Sequence, residues 1–80
     1  MSFAQVKSYS SSSFLLKLGN NIRRIRKIKG LSMEGLSNEI EMEYRQLGRI
    51  ERGEINTTIL SLLKISVALK VTVKDLLDFD

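Results

Sequence analysis

Leu15, Leu18, Ile22 and Ile25 recur at steps of three and four along an otherwise polar stretch, the stripe of an amphipathic helix. Gly30, just after Lys27 and Lys29, pairs late cations with a glycine stop. Ser32 is placed to cap a second short helix, with Glu34 in its positively polarised first turn and Leu36 and Ile40 facing inward. Glu41-Met42-Glu43 reads as a turn in which Met42 points into the core. A third helix is expected from about Tyr44 to Glu51, anchored by Leu47 and Ile50 and ended by Gly53. Asn56, Thr57 and Thr58 offer N-caps to a fourth, whose apolar face carries Ile59, Leu62, Leu63, Ile65 or Ser66, and Leu69. Val71-Thr72-Val73 is too short and isolated to pair as a strand, so Thr72 is expected to cap a last turn through Lys74, Leu76 and Leu77. The pattern predicts an all-α domain of five short helices with tight connections.

Composition narrows this further. Eighty residues suit a single domain with a thin core, and the absence of proline fits the helical reading. Residues 1–13 hold six serines and little periodicity, so they are expected to form a flexible Ser-rich N-terminal arm, with residues 14–80 as the folded domain. Lys7 gives that arm a slight claim to reach a minor groove. With neither Cys nor His, disulfides, thiolate or imidazole metal sites and His-based catalysis are excluded. Glu39, Glu41 and Glu43 are close in sequence but fall at a solvated turn, so no enzyme is expected, and no cofactor, metal or small-molecule ligand is implied. No run of 18 apolar residues is present and Lys7 and serines stand where a signal peptide would be apolar, so a cytoplasmic protein without a membrane partner is expected.

The net charge of +4 matters for where it lies. Six cations and no acid occupy Lys17 to Lys29, and Arg45, Arg49 and Arg52 follow. Two short helices joined by about three residues, the second basic on its outer side, have the form of a helix-turn-helix. The first of the pair crosses the phosphate backbone, with amides near Ser32 donating; the second enters the major groove. With Leu47 and Ile50 inward, Tyr44, Arg45, Gly48 and Arg49 are expected to point out, and an arginine there can form the bidentate pair with guanine. Tyr44 either packs on the surface or meets a thymine methyl or a phosphate, and Gln46 either stays on the surface or bonds a phosphate or base edge. Arg23 and Lys27 are either a solvated face or phosphate contacts. Amides at Asn56 and Thr57 can hold a further phosphate.

Leu31-Ser32-Met33-Glu34-Gly35-Leu36, followed by Arg49-Ile50-Glu51-Arg52-Gly53, resembles the Cro/CI-type (XRE-like) helix-turn-helix family. Leu18-Gly19 with Ile22, Ile25 and Arg26, and Ala68-Leu69-Lys70-Val71, fit the same pattern, so the resemblance covers roughly residues 17–77. It implies a lambda-repressor-like DNA-binding domain, usually a transcriptional regulator that binds a palindromic operator as a homodimer. It also implies a structural ion pair between Arg26 and Glu51. Several positions depart from the family pattern. Met33 stands where a phosphate-touching Gln is usual, Ser37 where Ala is, Glu41 at a turn position normally held by Gly, Glu43 at the Ser/Thr cap and Thr57 where Pro is common.

Leu76, Leu77 and Phe79 either complete the core or leave an apolar patch that pairs with a second copy, which places them at the expected dimer interface. The leading expectation is a sequence-specific regulator of double-stranded DNA, repressor-like, read by residues 44–51. The alternative is a protein-interaction module, such as an antitoxin-like subunit, that keeps the fold without reading DNA. Met33, Glu41 and Glu43 lean mildly that way because they weaken the DNA face.

Overall fold

The computed structural model describes residues 10–80, which form five helices and no strand. The first, α1 (Ser11–Ile28), begins where the Ser10 side chain accepts a hydrogen bond from the Ser13 amide at 3.3 Å. Ser11, Ser12 and Ser13 are therefore its first turn, whereas the sequence pattern assigns them to the arm; residues 1–9 of that arm lie outside the described residues. What holds the added turn is tertiary: the ring of Phe14 packs at a tilt on Phe79, centroids 5.2 Å apart. At 18 residues α1 is not short.

The next two helices follow the sequence pattern. In α2 (Met33–Glu39) Ser32 is the N-cap and accepts from the Gly35 amide at 2.9 Å. Glu41 ends its turn with φ +54°, a left-handed conformation that costs a residue with a Cβ about 1 kcal/mol. The Met42 amide donates back to the Ser37 carbonyl at 2.9 Å, which fixes that turn, and Met42 is half-buried against the core. Then α3 (Tyr44–Glu51) buries Leu47 and Ile50 as its spacing predicts.

Thr58 is the residue that caps α4 (Ile59–Leu69), accepting from the Ser61 amide at 3.0 Å. This helix is apolar nearly all round, so spacing alone does not single out its inner face. Leu62, Ile65, Ser66 and Leu69 are buried, while Ile59 and Leu63, expected inside, are exposed. The chain leaves α4 through Lys70, after Glu41 the second non-glycine residue to take a left-handed conformation among the described residues, at φ +60°. In α5 (Val73–Leu76) Thr72 and Asp75 form a capping box: each amide donates to the other's side chain. The Thr72 backbone hydrogen bond, then its side-chain bond, hold the Asp75 carboxyl below the usual carboxylate range.

The core is one cluster. Leu18, Ile22 and Ile25 of α1 meet Leu36, Ile40, Leu47 and Ile50 of the central pair and Leu62, Ile65, Leu69 and Leu76 of the last two helices. Two close approaches lock the first half of α1 onto the end of α3. A methyl at Gly19 would fall inside contact distance of the Glu51 and Ile50 carbonyl oxygens, so the two backbones touch there. Gly53, at φ +71°, lies so close to α1 that a Cβ would come within 2.7 Å of the Leu16 Cα. Further along α1 comes the ion pair. Arg26 donates from Nε to Glu51 Oε2 at 2.8 Å and from Nη2 to Oε1 at 3.0 Å. A third donor, Nη1, reaches the Leu31 carbonyl at 2.9 Å, just before the α2 cap. Both side chains are under a tenth exposed. Midway along α1, buried Asn21 donates to the Asp75 and Leu76 carbonyls at 3.1 and 2.8 Å, satisfying the end of α5.

Glu51→Ala leaves a buried guanidinium unpaired and should lower unfolding free energy by about 3–5 kcal/mol in urea denaturation. The double change Arg26→Met with Glu51→Leu, which removes both charges, should recover most of that loss; an equal loss in the double variant contradicts the pairing account.

Candidate nucleic-acid interface

The outward side of α3 is set by what its inward side buries. Leu47 is fully buried and Ile50 nearly so, which leaves Tyr44, Arg45, Gln46 and Arg49 exposed on the same helix. Arg45, Gln46 and Arg49 line a shallow crevice with Glu43 and with Ile55 of the loop to α4. Glu43 is the N-cap residue of α3 but makes no side-chain cap bond, because its carboxylate is one methylene too long for the compact Asp or Ser geometry.

Gly48 does not point outward as expected. It is buried, and a Cβ there would lie 2.9 Å from Arg52 Nη1 and 3.3 Å from the Met33 methyl. Met33 and the Arg52 side chain cover it, so a base has no route to its backbone. The same contact answers the Met33 expectation: its thioether packs against the core and α3 instead of reaching a phosphate. Arg52, to which charge alone gives no particular role, thus lies along the outer side of α3. Its Nε donates to Glu54 Oε2 at 2.6 Å, and that bond raises the guanidinium pKa and holds the Glu54 carboxyl below its ordinary range. Arg49 Nε is 3.9 Å from the other Glu54 oxygen, an ion pair without a hydrogen bond. The signal that could have found Arg52 is the i+4 spacing 44, 48, 52 with a glycine in the middle.

The remaining expected contacts lie on α1, at the start of α2 and before α4. Ser32 is exposed at the start of α2 with its oxygen engaged by the Gly35 amide. Asn56 is exposed before α4, but Thr57 Oγ1 is buried with no hydrogen-bond partner among the described residues. Arg23 and Lys27 are exposed one turn apart on α1, about 60–100° around the helix from Arg26. Arg24 is instead tied to Asn21 Oδ1 at 2.8 Å. At the expected dimer interface, Leu76 is fully buried in the core and Phe79 packs on Phe14; Leu77 alone of the three is exposed. The short α5 has to close the core against α1, which leaves Leu76 no outward face, and Phe79 is half-buried beside it.

Two packed helices joined through a four-residue turn, the second exposing Tyr44, Arg45 and Arg49, define a helix-turn-helix protein of the DNA-binding class. The helix-turn-helix family model matches residues 22–76, and the chain belongs to that family, the Cro/CI-type (XRE-like) group that the sequence resembles. It is a DNA-binding transcription regulator. The control protein C.BamHI of Bacillus amyloliquefaciens is 39% identical over 70 residues, 86% of each chain. The control protein C.MunI of a Mycoplasma species is 32% identical over 62 residues, 76% of this chain and 84% of that one. Among solved structures, the restriction-modification controller protein C.AhdI of Aeromonas hydrophila superposes with a TM-score of 0.76 at 34% identity, over 78% of this chain and 94% of that chain. Among the described residues no helix is long and apolar enough to cross a membrane.

Glu43→Ser installs the missing cap acceptor and removes an acid from the groove side. Stability should rise by about 0.5–1 kcal/mol in urea denaturation, and affinity for any duplex should increase at low salt. A fall in either quantity contradicts the cap geometry described for α3.

Proposed function

We propose that the protein binds a palindromic operator sequence-specifically as a homodimer and acts as the controller of a restriction–modification system. The observation that carries this reading is α3 itself, which buries Leu47 and Ile50 while Tyr44, Arg45 and Arg49 stand exposed. Arg45 and Arg49 read base edges, Arg by its bidentate fit to guanine, and Tyr44 meets a thymine methyl. Arg23, Lys27, Gln46, Ser32 with the Met33 amide, and Asn56 with the amides preceding α4 bind phosphates and set the register. The link to restriction–modification is supported by likeness to the restriction-modification controller protein C.AhdI, and the controller role by likeness to the control proteins C.BamHI and C.MunI.

One helix of eight residues offers few base contacts, so a second copy supplies the other half-site about 34 Å away. Dimerisation uses the outer face of α4. Ile59, Leu60, Leu63 and Val67 form a stripe at helical spacing, each between 48% and 68% exposed, with Leu77 nearby. Together they make an exposed apolar face of the kind that a stable interface covers. A twofold axis lets this one stripe cover itself.

Selection of bound duplexes from a random pool should return a palindrome with half-sites one helical turn apart. Against that sequence Arg45→Ala should cost about 1–3 kcal/mol and relax preference at one base pair per half-site. Arg23→Ala should weaken all sequences alike and flatten the salt dependence by about one unit for each phosphate left without its cation. Leu60→Glu should give a monomer in sedimentation that no longer distinguishes the palindrome from a single half-site. A pool with no enriched sequence overturns the reading.

A further inference from the structure

Glu54 sits beside α3, with its carboxylate shared between two arginines of the outward side. Arg52 Nε donates to Oε2 at 2.6 Å, and Arg49 Nε is 3.9 Å from Oε1. The Glu54 amide donates to the Arg49 carbonyl at 2.9 Å, so the backbone that carries the carboxylate is itself fastened to the end of α3. The hydrogen bond is made through the Arg52 Nε, while Arg49 is at ion-pair distance only. A guanidinium held at Nε keeps its Nη1–Nη2 edge open, and that edge makes the end-on pair with guanine O6 and N7. Among the described residues no protein group accepts a hydrogen bond from the Nη atoms of Arg49 or Arg52, and the side chains are 48% and 56% exposed.

We propose that Glu54 is a positioning residue for sequence recognition: it holds Arg52 by its Nε, with the Nη atoms left without a protein acceptor, and draws Arg49 toward the same carboxylate at ion-pair distance. The proposal rests on the DNA-reading role of α3. A long side chain loses rotamer freedom when it docks, and one already held loses less, so the carboxylate favours the complex in which the Arg52 edge meets a base. Its negative charge opposes binding to any stretch that offers only phosphate. Glu54 therefore acts with opposite sign on the two kinds of duplex. An ordinary surface ion pair acts on both in the same direction.

The test compares the full chain with Glu54→Ala and Glu54→Gln on the selected palindrome and on a random duplex of equal length, by fluorescence titration at two salt concentrations. Glu54 is half-exposed, and the glutamine keeps its shape and one acceptor oxygen. For Glu54→Ala, binding to the random duplex should tighten about three- to tenfold at low salt, with a steeper salt dependence. Binding to the palindrome should weaken several-fold. Glu54→Gln should keep the gain on random duplex and recover part of the loss on the palindrome. Equal shifts on both duplexes, or none, overturn the positioning role and leave the DNA-reading role standing. A wild-type chain that prefers no duplex overturns the DNA-reading role of α3, and the Glu54 proposal with it.

Discussion

The guanidinium of Arg26 and the carboxylate of Glu51 meet where α1, α3 and the approach to α2 converge, and almost no water reaches them. Placing two charges there is costly on its own, and an apolar pair of the same volume is often more stable. What the ion pair supplies is direction. Its two parallel hydrogen bonds permit one rotation of α3 about its own axis relative to α1, and the third bond to the Leu31 carbonyl carries the same constraint to the start of α2. The side of α3 that meets solvent is settled by that rotation.

Around this anchor the other interactions divide between holding α3 and equipping it. Leu47 and Ile50 bury its inner side, and the Ser37–Met42 backbone bond fixes the turn that delivers it. Its outer side is less uniform than a helical wheel suggests. Arg52 folds back along it and Met33 fills beneath it, so a glycine that spacing places outside is covered from both sides. The cations are likewise not a uniform positive surface: Glu54 engages two of them and Asn21 a third, while Arg45, Arg23 and Lys27 remain exposed.

Much of this is legible in the sequence because it is local. The bounds of α3 and the caps at Ser32 and Thr72 follow from short-range spacing and side-chain chemistry, and the left-handed Glu41 stands where the family resemblance implies a glycine. The departures have tertiary causes. Three serines join α1 because the helix is held by Phe14 against Phe79, residues 65 apart in the chain. In α4 apolar residues lie on every side, so periodicity carries no information about which of them the core selects. Leu76 and Phe79 look like surface candidates near the end of the sequence, yet each fills a gap left by a distant helix. Glu54 is silent in the sequence because an acid near a basic groove reads as repulsion, and only the geometry shows which arginine atoms it engages.

The backbone contacts at Gly19 and Gly53 brace α1 against α3 at two points, and the ion pair adds a third further along α1. Helices fastened this way behave as one stiff body, because sliding or tilting at either glycine drives carbonyl oxygens and main-chain carbons into each other. On the operator proposed above, a body this stiff leaves misfit to bending or twisting of the nucleic acid. The flexibility of base steps that no side chain touches then enters the affinity, so the rigidity of two glycine contacts becomes a filter on the mechanics of DNA.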